Sequence, residues 1–283
     1  DIEKFFDRVH HGTLRSFLDQ RMRDGVLRRA IDKWLKAGVM EEGQITRPKA
    51  GTPQGGVISP LLANIYLHEV LDRWFTEQIA PRLKGESFLV RYADDAVLVF
   101  ETKEDALRVL EVLPKRFSRF GLTLHPEKTR LVQFRCPPPH SQTEGPPPRD
   151  GGPGSFDFLG FTHYWAKSRK GHWVVKKKTA GDRLRRSLKR VSTWCRKYRH
   201  TPVAWQHVHL VRAIRGHYAY YGLTGNDQQL KRFRNEVERI WHRWLSRRSQ
   251  STPMRWERFH RLLRRYVLPP VKIVHSVYLA ANP

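Results

Sequence analysis

The sequence predicts an α+β domain over residues 1–165, followed by an all-α domain over residues 166–283. Two observations support this prediction. In the first part, short apolar runs that alternate like strands are mixed with helical patterns. From Thr179 onward, apolar residues recur at the three- and four-residue spacing of a helix. Mixed elements followed by a run of helices are typical of two separate domains.

The charge of the chain is divided in the same way. Its 283 residues include 53 Lys and Arg against 27 Asp and Glu, a formal net charge of +26. Residues 1–165 hold 24 cationic and 22 acidic side chains, whereas residues 166–283 hold 29 and 5. Such an excess of like charges repels itself unless a polyanion neutralises it. The second part therefore predicts a nucleic-acid partner, and the alternative is a merely solvated surface.

Cysteine content and hydropathy exclude several classes of protein. The two cysteines, Cys136 and Cys195, are far apart in the sequence. This excludes a disulfide scaffold and a cysteine-based zinc site, and it is compatible with a reducing compartment. No run reaches the roughly 18 consecutive apolar residues of a membrane-spanning helix, so we expect no membrane partner.

A helix and a hairpin are predicted next to and around the acidic residues of the α+β part. Residues 58–78 predict a helix, with Ser59 as N-cap and Pro60 at the first helical position. Residues 88–100, with the sequence FLVRYADDAVLVF, predict two short strands around an acidic turn. Together they place a helix and a hairpin next to each other in the sequence.

A second helix follows the hairpin. Thr102 and Asp105 form a capping-box pattern at its start, and Gly121 marks its end. Pro114 lies within the apolar stripe and should kink or divide the helix.

Residues 136–155 interrupt this pattern with seven prolines and four glycines, and we interpret them as a mobile surface insertion. Strand-like alternation resumes directly afterwards in FDFLGFTHYW and GHWVV, which predict paired strands.

The remaining elements are predicted helices. Thr179 and Asp182 form a second capping pair, and Thr201-Pro202 opens the next helix. The spacing of Trp and Phe favours a bundle core over base-stacking surfaces, with the cations on the outer faces. The apolar stripes that carry this prediction include Leu184, Leu188, Val191, Cys195, Leu230, Phe233, Val237, Ile240, Trp241, Trp244, Trp256, Phe259, Leu262, Leu263 and Tyr266.

The chemistry of the chain centres on the acidic turn Tyr92-Ala93-Asp94-Asp95. Two adjacent carboxylates between apolar strands are costly unless cations or solvent compensate them. Because neighbouring strand residues point to opposite faces, one Asp should be the principal metal ligand. A third carboxylate would complete a magnesium site, and Asp1 is the candidate. The alternative is a solvent-exposed hairpin turn.

Five motifs together resemble a known family. In order they are DIEKFFD, GTPQGGVISPLLANIYLHEVLD, YADD, GLTLHPEKT and FLGF. Their order and spacing resemble bacterial group II intron-encoded reverse transcriptases, and IRGHYAYYG, WERFHRLLRRYVLPP and IVHS resemble the thumb or maturase domain of that family. The resemblance implies a reverse-transcriptase palm at residues 1–165 and a basic helical thumb/maturase domain at residues 166–283. The family's fingers region, which precedes the first catalytic Asp, is missing, so we expect a fragment with impaired polymerase activity.

The resemblance also implies roles for individual residues. Asp1, Asp94 and Asp95 would be the catalytic carboxylates that bind two Mg²⁺ ions, with the backbone carbonyl of Ile2 as a further ligand. Phe6 matches the bulky residue that excludes a 2′-hydroxyl and favours dNTPs, and its alternative is a core phenylalanine.

The other implied contacts are with nucleotide, primer and RNA. Each implied role has a structural alternative. These are an ordinary Pro/Gly loop for the glycine-rich motif, a solvated turn lysine for Lys128, strand core for the primer-grip segment and a solvated helix face for the basic residues. The candidates for nucleotide binding are Gln54, Gly55 and Lys128; for the primer grip Phe158, Leu159 and Gly160; and for RNA binding Lys176, Lys177, Lys178, Arg183, Arg185, Arg186, Lys189 and Arg190.

The implied function is RNA-directed DNA synthesis combined with maturase activity in intron splicing and mobility. The implied partners are intron RNA, an RNA template, a DNA primer and dNTPs, in a cytoplasmic bacterial ribonucleoprotein, and dimerisation is open. Two alternatives stay open as well. One is another bacterial reverse transcriptase of the retron, diversity-generating or CRISPR-associated type, and the other is a non-catalytic splicing cofactor.

Overall fold

The computed structural model describes residues 2–36, 39–41, 44–46, 51, 56–137, 154–168, 170–249 and 253–276, with only the backbone at 39–41 and 44–46. The sites predicted at Asp1, Gln54 and Gly55 lie outside these residues, as does most of the insertion predicted at 136–155.

The chain forms two compact units, residues 1–131 and 132–283. In the first unit, antiparallel pairs join β1 to β2 and β3 to β4. The elements of this unit, in chain order, are α1 (Phe5–Arg8), α2 (His11–Asp19), α3 (Gly25–Lys36), β1 (Val39–Glu41), β2 (Gln44–Thr46), α4 (Ser59–Leu67), β3 (Ser87–Tyr92), β4 (Asp95–Phe100) and α5 (Lys103–Ser118).

One hydrophobic core joins the sequence motifs of the first unit. Tyr66 of α4 is fully buried and donates a hydrogen bond from its hydroxyl to the carbonyl oxygen of Phe120 at 2.8 Å. The inner face of the β3–β4 hairpin, with Leu89 and Leu98, packs against the same core. Other members of this core are Ile2, Phe5, Leu62, Leu67, Val70, Leu71 and Leu122.

The helix predicted at 58–78 is present but differs in detail. It begins with Ser59 inside the helix rather than at its N-cap, so the predicted cap is wrong by one position. After α4 the winding changes to π-helical turns at His68–Asp72 and Phe75–Ile79 and ends in a 3₁₀ turn at Ala80–Arg82. π-Helical turns are rare and occur often at functional sites.

The cap predicted for α5 is confirmed at Thr102, whose hydroxyl oxygen accepts a hydrogen bond from the Asp105 N–H at 3.2 Å. The Asp105 carboxylate does not complete a capping box. It accepts the backbone N–H groups of Gly85 and Lys84, and the bond from Gly85 is the main cause of its lowered pKa. Pro114 lies inside α5 without dividing it, so the expected division of the helix is wrong.

The second unit has a three-stranded sheet, in which β6 lies between β5 and β7 in antiparallel pairing, and a set of helices. These elements confirm the strands predicted after the insertion and the helical character of the chain beyond Thr179. Their bounds are β5 (Ser155–Phe158), β6 (Phe161–Lys167), β7 (Trp173–Thr179), α6 (Gly181–Lys197), α7 (Val203–Tyr221), α8 (Asp227–Ser246) and α9 (Trp256–Arg265).

The predicted bundle core is present, with Trp241, Phe233 and Phe259 almost completely buried. The prediction that Trp256 belongs to the core is wrong, because this residue is 43% exposed and stacks on His242, with ring centroids 3.8 Å apart. Thr179 does not cap α6. Its backbone N–H and its hydroxyl oxygen both bond to the Asn226 side-chain amide instead.

The antiparallel strands and helices confirm the predicted α+β content at this coarse level. The contact-based boundary at 131/132 differs from the predicted domain boundary at 165/166, because β5–β7 group with the helices that follow. The assignment of functional domains stays a prediction. None of the helices in the described residues is both long and apolar enough to cross a membrane.

His217 is a buried histidine in the core of the second unit. It stacks on Phe233, with ring centroids 3.7 Å apart, and its Nε2 has no hydrogen-bond partner in the described part of the chain. Burial lowers its pKa to about 4, because the charged form loses its solvation. The folded unit therefore holds His217 in its neutral form.

We expect this buried histidine to make the second unit less stable in acid. The unfolded chain binds the proton more tightly than the folded unit does. The contribution of His217 to the free energy of unfolding is therefore fully present above the ordinary pKa near 6.5, and it is lost as pH falls toward about 4. Replacing His217 by Phe should remove roughly 2 kcal/mol of the stability difference between pH 7 and pH 5. Urea-dependent hydrogen exchange of α7 and α8 measures the free energy of unfolding at each pH. His200→Gln, which changes an exposed histidine, is the control. Equal pH dependence in wild type and His217→Phe would contradict the expectation.

Candidate active site and nucleic-acid interface

The acidic motif forms the turn of a tight hairpin. Tyr92 pairs with Asp95, so that Ala93 and Asp94 make a two-residue loop. Ala93 has a φ of 53°, whereas Asp94 does not have a positive φ, which are the signs of a type II′ turn. A left-handed conformation at a residue with a Cβ costs roughly 1–2 kcal/mol. The turn is therefore a strained one, of the kind found at functional sites.

The two carboxylates of this turn are available for binding. Asp94 is half-buried and Asp95 is exposed, and neither side chain forms a hydrogen bond or ion pair among the described residues. Adjacent carboxylates without a cationic partner suit a hard cation, since Mg²⁺ prefers oxygen ligands. Within the described ranges no three His, Cys, Asp or Glu side chains form a metal-binding group, and the third predicted ligand, Asp1, lies outside those ranges.

The outer face of the same hairpin is apolar and exposed. Phe88, Val90 and Tyr92 of β3 are 59%, 52% and 66% exposed, and Val99 of β4 is 48% exposed. The inner face packs on the core. The turn therefore projects from a hairpin that is fixed on one side only.

Arg91 fixes the turn from its inner side. Its guanidinium forms two hydrogen bonds with the Asp72 carboxylate, at 2.7 and 2.6 Å. Its Nη1 donates to the Asn64 side-chain oxygen at 3.0 Å and to the Ala93 carbonyl oxygen at 2.8 Å. We refer to Asn64, Asp72, Arg91 and Ala93 as the Arg91 clamp. The clamp ties the acidic turn to the helix of residues 59–82.

The DIEKFFD and GLTLHPEKT motifs lie side by side at Ile2 and Glu3. Ile2 forms an antiparallel bridge with Leu124, and the Glu3 N–H donates to the Thr123 carbonyl oxygen at 2.8 Å. Lys128 lies on an exposed turn four residues beyond Leu124. The structure thus brings two predicted site segments side by side.

The DIEKFFD motif also lies beside Gly51, the first residue of the second motif. Phe5 is a core residue, whereas the neighbouring Phe6 is half-buried and only packs against the core. The Gly51 N–H donates to the Val9 carbonyl oxygen at 2.8 Å. At Gly51, which has a φ of 92°, a Cβ would lie 2.7 Å from the Phe6 carbonyl oxygen. Only glycine allows this approach of residue 51 to the Phe6 backbone.

The predicted primer-grip residues form the turn between β5 and β6. Phe158 pairs with Phe161, and both loop residues, Leu159 and Gly160, have positive φ values of 50° and 76°. The Tyr220 hydroxyl donates to the Leu159 carbonyl oxygen at 3.0 Å. The turn is thus attached to α7 within the same unit.

The predicted RNA-binding cations line β7 and α6. On α6 the five candidate side chains are exposed, and Asp182 accepts weak ion pairs from Arg183 and Arg186 at 3.6 and 3.5 Å. On β7, Lys178 lies over the Tyr164 ring at 4.9 Å. Burial, and next to it the charge of Lys177, lowers the pKa of His163. A solvent-facing cationic surface therefore exists on α6.

Several residues of the site were missed by sequence reasoning. The Arg91 clamp, Gly51 and Tyr220 act through contacts between distant segments, which produce no periodic pattern. For Gly51 the signal was present, because a glycine that opens a Gly/Pro-rich motif predicts a close approach of the backbone.

Comparison with protein families gives an independent result. The family model described as "Reverse transcriptase (RNA-dependent DNA polymerase)" matches residues 1–163. This range contains the acidic turn, the Arg91 clamp, Phe6 and the β5–β6 turn.

Individual relatives cover less of the chain. The group II intron-encoded protein LtrA of Lactococcus lactis is 36% identical over 126 aligned positions, which cover 41% of this chain and 21% of LtrA. Protein YkfC of Escherichia coli is 36% identical over 166 positions, covering 46% of this chain and 42% of YkfC. A probable RNA-directed DNA polymerase from transposon X-element of Drosophila melanogaster is 31% identical over 121 positions, covering 39% and 12%. The chain thus spans less than half the length of each of these relatives.

Proposed function

We propose, since this chain belongs to the reverse transcriptase (RNA-dependent DNA polymerase) family, that it carries the site at which an RNA-directed DNA polymerase extends a primer. The observation that supports this most strongly is the strained turn with two carboxylates, Asp94 and Asp95, that have no partner among the described residues. The relative from transposon X-element carries the same activity in its name.

The proposed reaction is nucleotidyl transfer. The primer 3′-hydroxyl loses its proton to water and its oxygen forms a bond to the α-phosphorus of a dNTP. The bond from that phosphorus to the bridging oxygen breaks, and pyrophosphate leaves. Catalysis of this kind depends on positioning and on electrostatic stabilisation. Asp94 and Asp95 would supply the fixed negative charge, and Phe6, which lies beside Gly51, would exclude the 2′-hydroxyl of a ribonucleotide.

The proposed cofactor is Mg²⁺. Asp94 and Asp95 would hold it together with Asp1 and the carbonyl of Ile2. The chemistry supplied by such an ion would be a lower pKa of the primer hydroxyl and neutralisation of the charge on the leaving pyrophosphate. The protein would contribute a turn of fixed shape and a carboxylate pair that forms no competing ion pair within the described part of the chain.

We expect Phe6→Ala to relax the selection of the nucleotide sugar. Phe6 is half-buried beside the core rather than within it, so the variant should fold and synthesise DNA. A smaller side chain leaves room for a 2′-hydroxyl, and we expect incorporation of rNTPs relative to dNTPs to rise at least tenfold. Incorporation assays with the whole gene product measure the ratio. Phe5→Leu, a change in the core, is the control, and an unchanged ratio in Phe6→Ala would leave Phe6 a packing residue.

We also propose that the second unit binds structured RNA and serves as the maturase part of a group II intron protein. The exposed cations of α6 and the net charge of +24 over residues 166–283 support RNA binding. The similarity to LtrA supports the link to a group II intron. Splicing and mobility of that intron are the expected roles, in a bacterial ribonucleoprotein.

One experiment separates the proposed polymerase from a non-catalytic splicing cofactor. Primer extension on an annealed RNA template with the whole gene product should yield DNA that requires dNTPs and Mg²⁺. A protein that binds and splices intron RNA but extends no primer would favour the cofactor alternative.

A further inference from the structure

Arg91 is the most completely bonded cation next to the acidic turn. Its side chain is only 12% exposed, and the guanidinium makes four hydrogen bonds to three different partners. The two bonds to Asp72 run in parallel, which is the fork geometry that arginine forms and lysine cannot. A bidentate pair of this kind fixes direction as well as distance.

The partners of Arg91 connect the turn to the helix. Asn64 belongs to α4, and Asp72 is the last residue of the first π-helical turn. The Ala93 carbonyl belongs to the strained turn itself, directly before Asp94. One side chain therefore bonds the helix and the turn together at three points.

The strain at Ala93 needs such a restraint. A left-handed alanine persists only where the surrounding structure over-determines it. The outer face of the hairpin is exposed, so no packing by the residues that the structure describes holds the turn on that side. The hydrogen bond from Arg91 to the Ala93 carbonyl is the restraint that the described structure provides.

We propose that Arg91 is a positioning residue, which fixes the peptide unit before Asp94 and thereby the direction of both carboxylates. It acts through Asp72, Asn64 and the Ala93 carbonyl and touches no reacting atom. This inference rests on the proposed polymerase function. It adds that the rate of nucleotide addition depends on the clamp as well as on the two carboxylates.

The test replaces Arg91 by Lys in the whole gene product. Lysine keeps the charge but cannot bond the Asp72 carboxylate twice and the turn at once. We expect kcat for primer extension to fall about 10- to 100-fold, with KM for the primer–template unchanged. The Mg²⁺ concentration at half-maximal rate should rise several-fold. Without metal or nucleic acid, amide hydrogen exchange at residues 92–96 should become faster than in the wild type.

Matched variants separate positioning from a general loss of structure. Arg15→Lys changes another Arg–Asp pair of the first unit, with Nε–Oδ1 at 2.6 Å, and should leave the Mg²⁺ requirement and the turn unchanged. Asp72→Asn breaks the clamp from the other side and should reproduce Arg91→Lys, and the double variant should be no worse than either single one. If Arg91→Lys does not fold, Asp72→Asn tests the inference in its place.

The outcomes are distinct. Wild-type kinetics in Arg91→Lys, or additive losses in the double variant, would overturn the inference, as would unchanged hydrogen exchange at the turn. If the wild type makes no DNA at all, the proposed function fails, and hydrogen exchange alone decides whether the clamp holds the turn.

Discussion

Replacing Asp94 by Asn should abolish DNA synthesis, and replacing Asp95 by Asn should do the same. Each change removes one negative charge from the proposed Mg²⁺ site, and charge stabilisation by a bound metal contributes several kcal/mol. Several kcal/mol correspond to a loss of at least about 100-fold in rate. Primer extension on a pre-annealed template with the whole gene product measures this loss.

The two variants should nevertheless stay folded. Neither carboxylate has a partner among the described residues, so the amide leaves no buried charge unpaired. We expect an unchanged unfolding temperature and unchanged affinity for intron RNA. Glu104→Gln, an exposed acid on α5, is the matched control and should retain full synthesis. Synthesis at the wild-type level in Asp94→Asn or Asp95→Asn would reduce the motif to an exposed turn.

Neutralising the exposed cations of α6 should have the opposite effect. Changing all five of them to Gln should weaken the binding of intron RNA and flatten its salt dependence. Each lost phosphate contact lowers the log–log salt slope by roughly 0.7–0.9, so the slope should fall by about 3.5–4.5. The ion pairs with Asp182 do not oppose this, because exposed pairs contribute little. The five residues are Arg183, Arg185, Arg186, Lys189 and Arg190.

The measurement is RNA affinity from low to moderate salt. The control neutralises five exposed cations of the near-neutral first unit, and its salt slope should change much less. If the α6 variant keeps the wild-type slope, those side chains are a solvated face and the RNA path runs elsewhere. If Asp94→Asn weakens RNA binding as strongly, the division of labour between the two units is wrong. The control set is Arg29, Lys33, Lys36, Lys103 and Arg108.

Local patterns predicted the elements of this chain well. Alternating apolar residues on both sides of Asp94 predicted the β3–β4 hairpin, and Thr102 predicted the start of α5, because both signals depend on neighbours in the sequence. Periodic apolar stripes predicted α6 to α9 for the same reason. A family resemblance, and not periodicity, gave the roles of the individual site residues.

Contacts between distant segments could not be predicted. The bonds of Arg91 to Asp72 and Asn64 span 19 and 27 positions, and nothing in the spacing of these residues indicates a pair. The division of α5 expected at Pro114 does not occur, because tertiary context can outweigh the local preference of one residue. Trp256 satisfied the helical period, but the period does not tell whether another element covers that end of α9.

The π-helical turn at His68–Asp72 limits how this protein can vary in length. Each residue of an α-helix advances the chain by about 100° around the axis. A π-helical turn winds one residue more than an α-helical turn through nearly the same rotation. Deleting one residue within His68–Leu71 would therefore let the helix return to regular α-helical winding and keep Asp72 and the later residues near their partners, whereas a deletion within α4 would rotate them by about 100°. The helix should thus reject single-residue insertions and deletions within α4 but accept a deletion within the π-helical turn. Library design on this scaffold should confine changes of length to that turn.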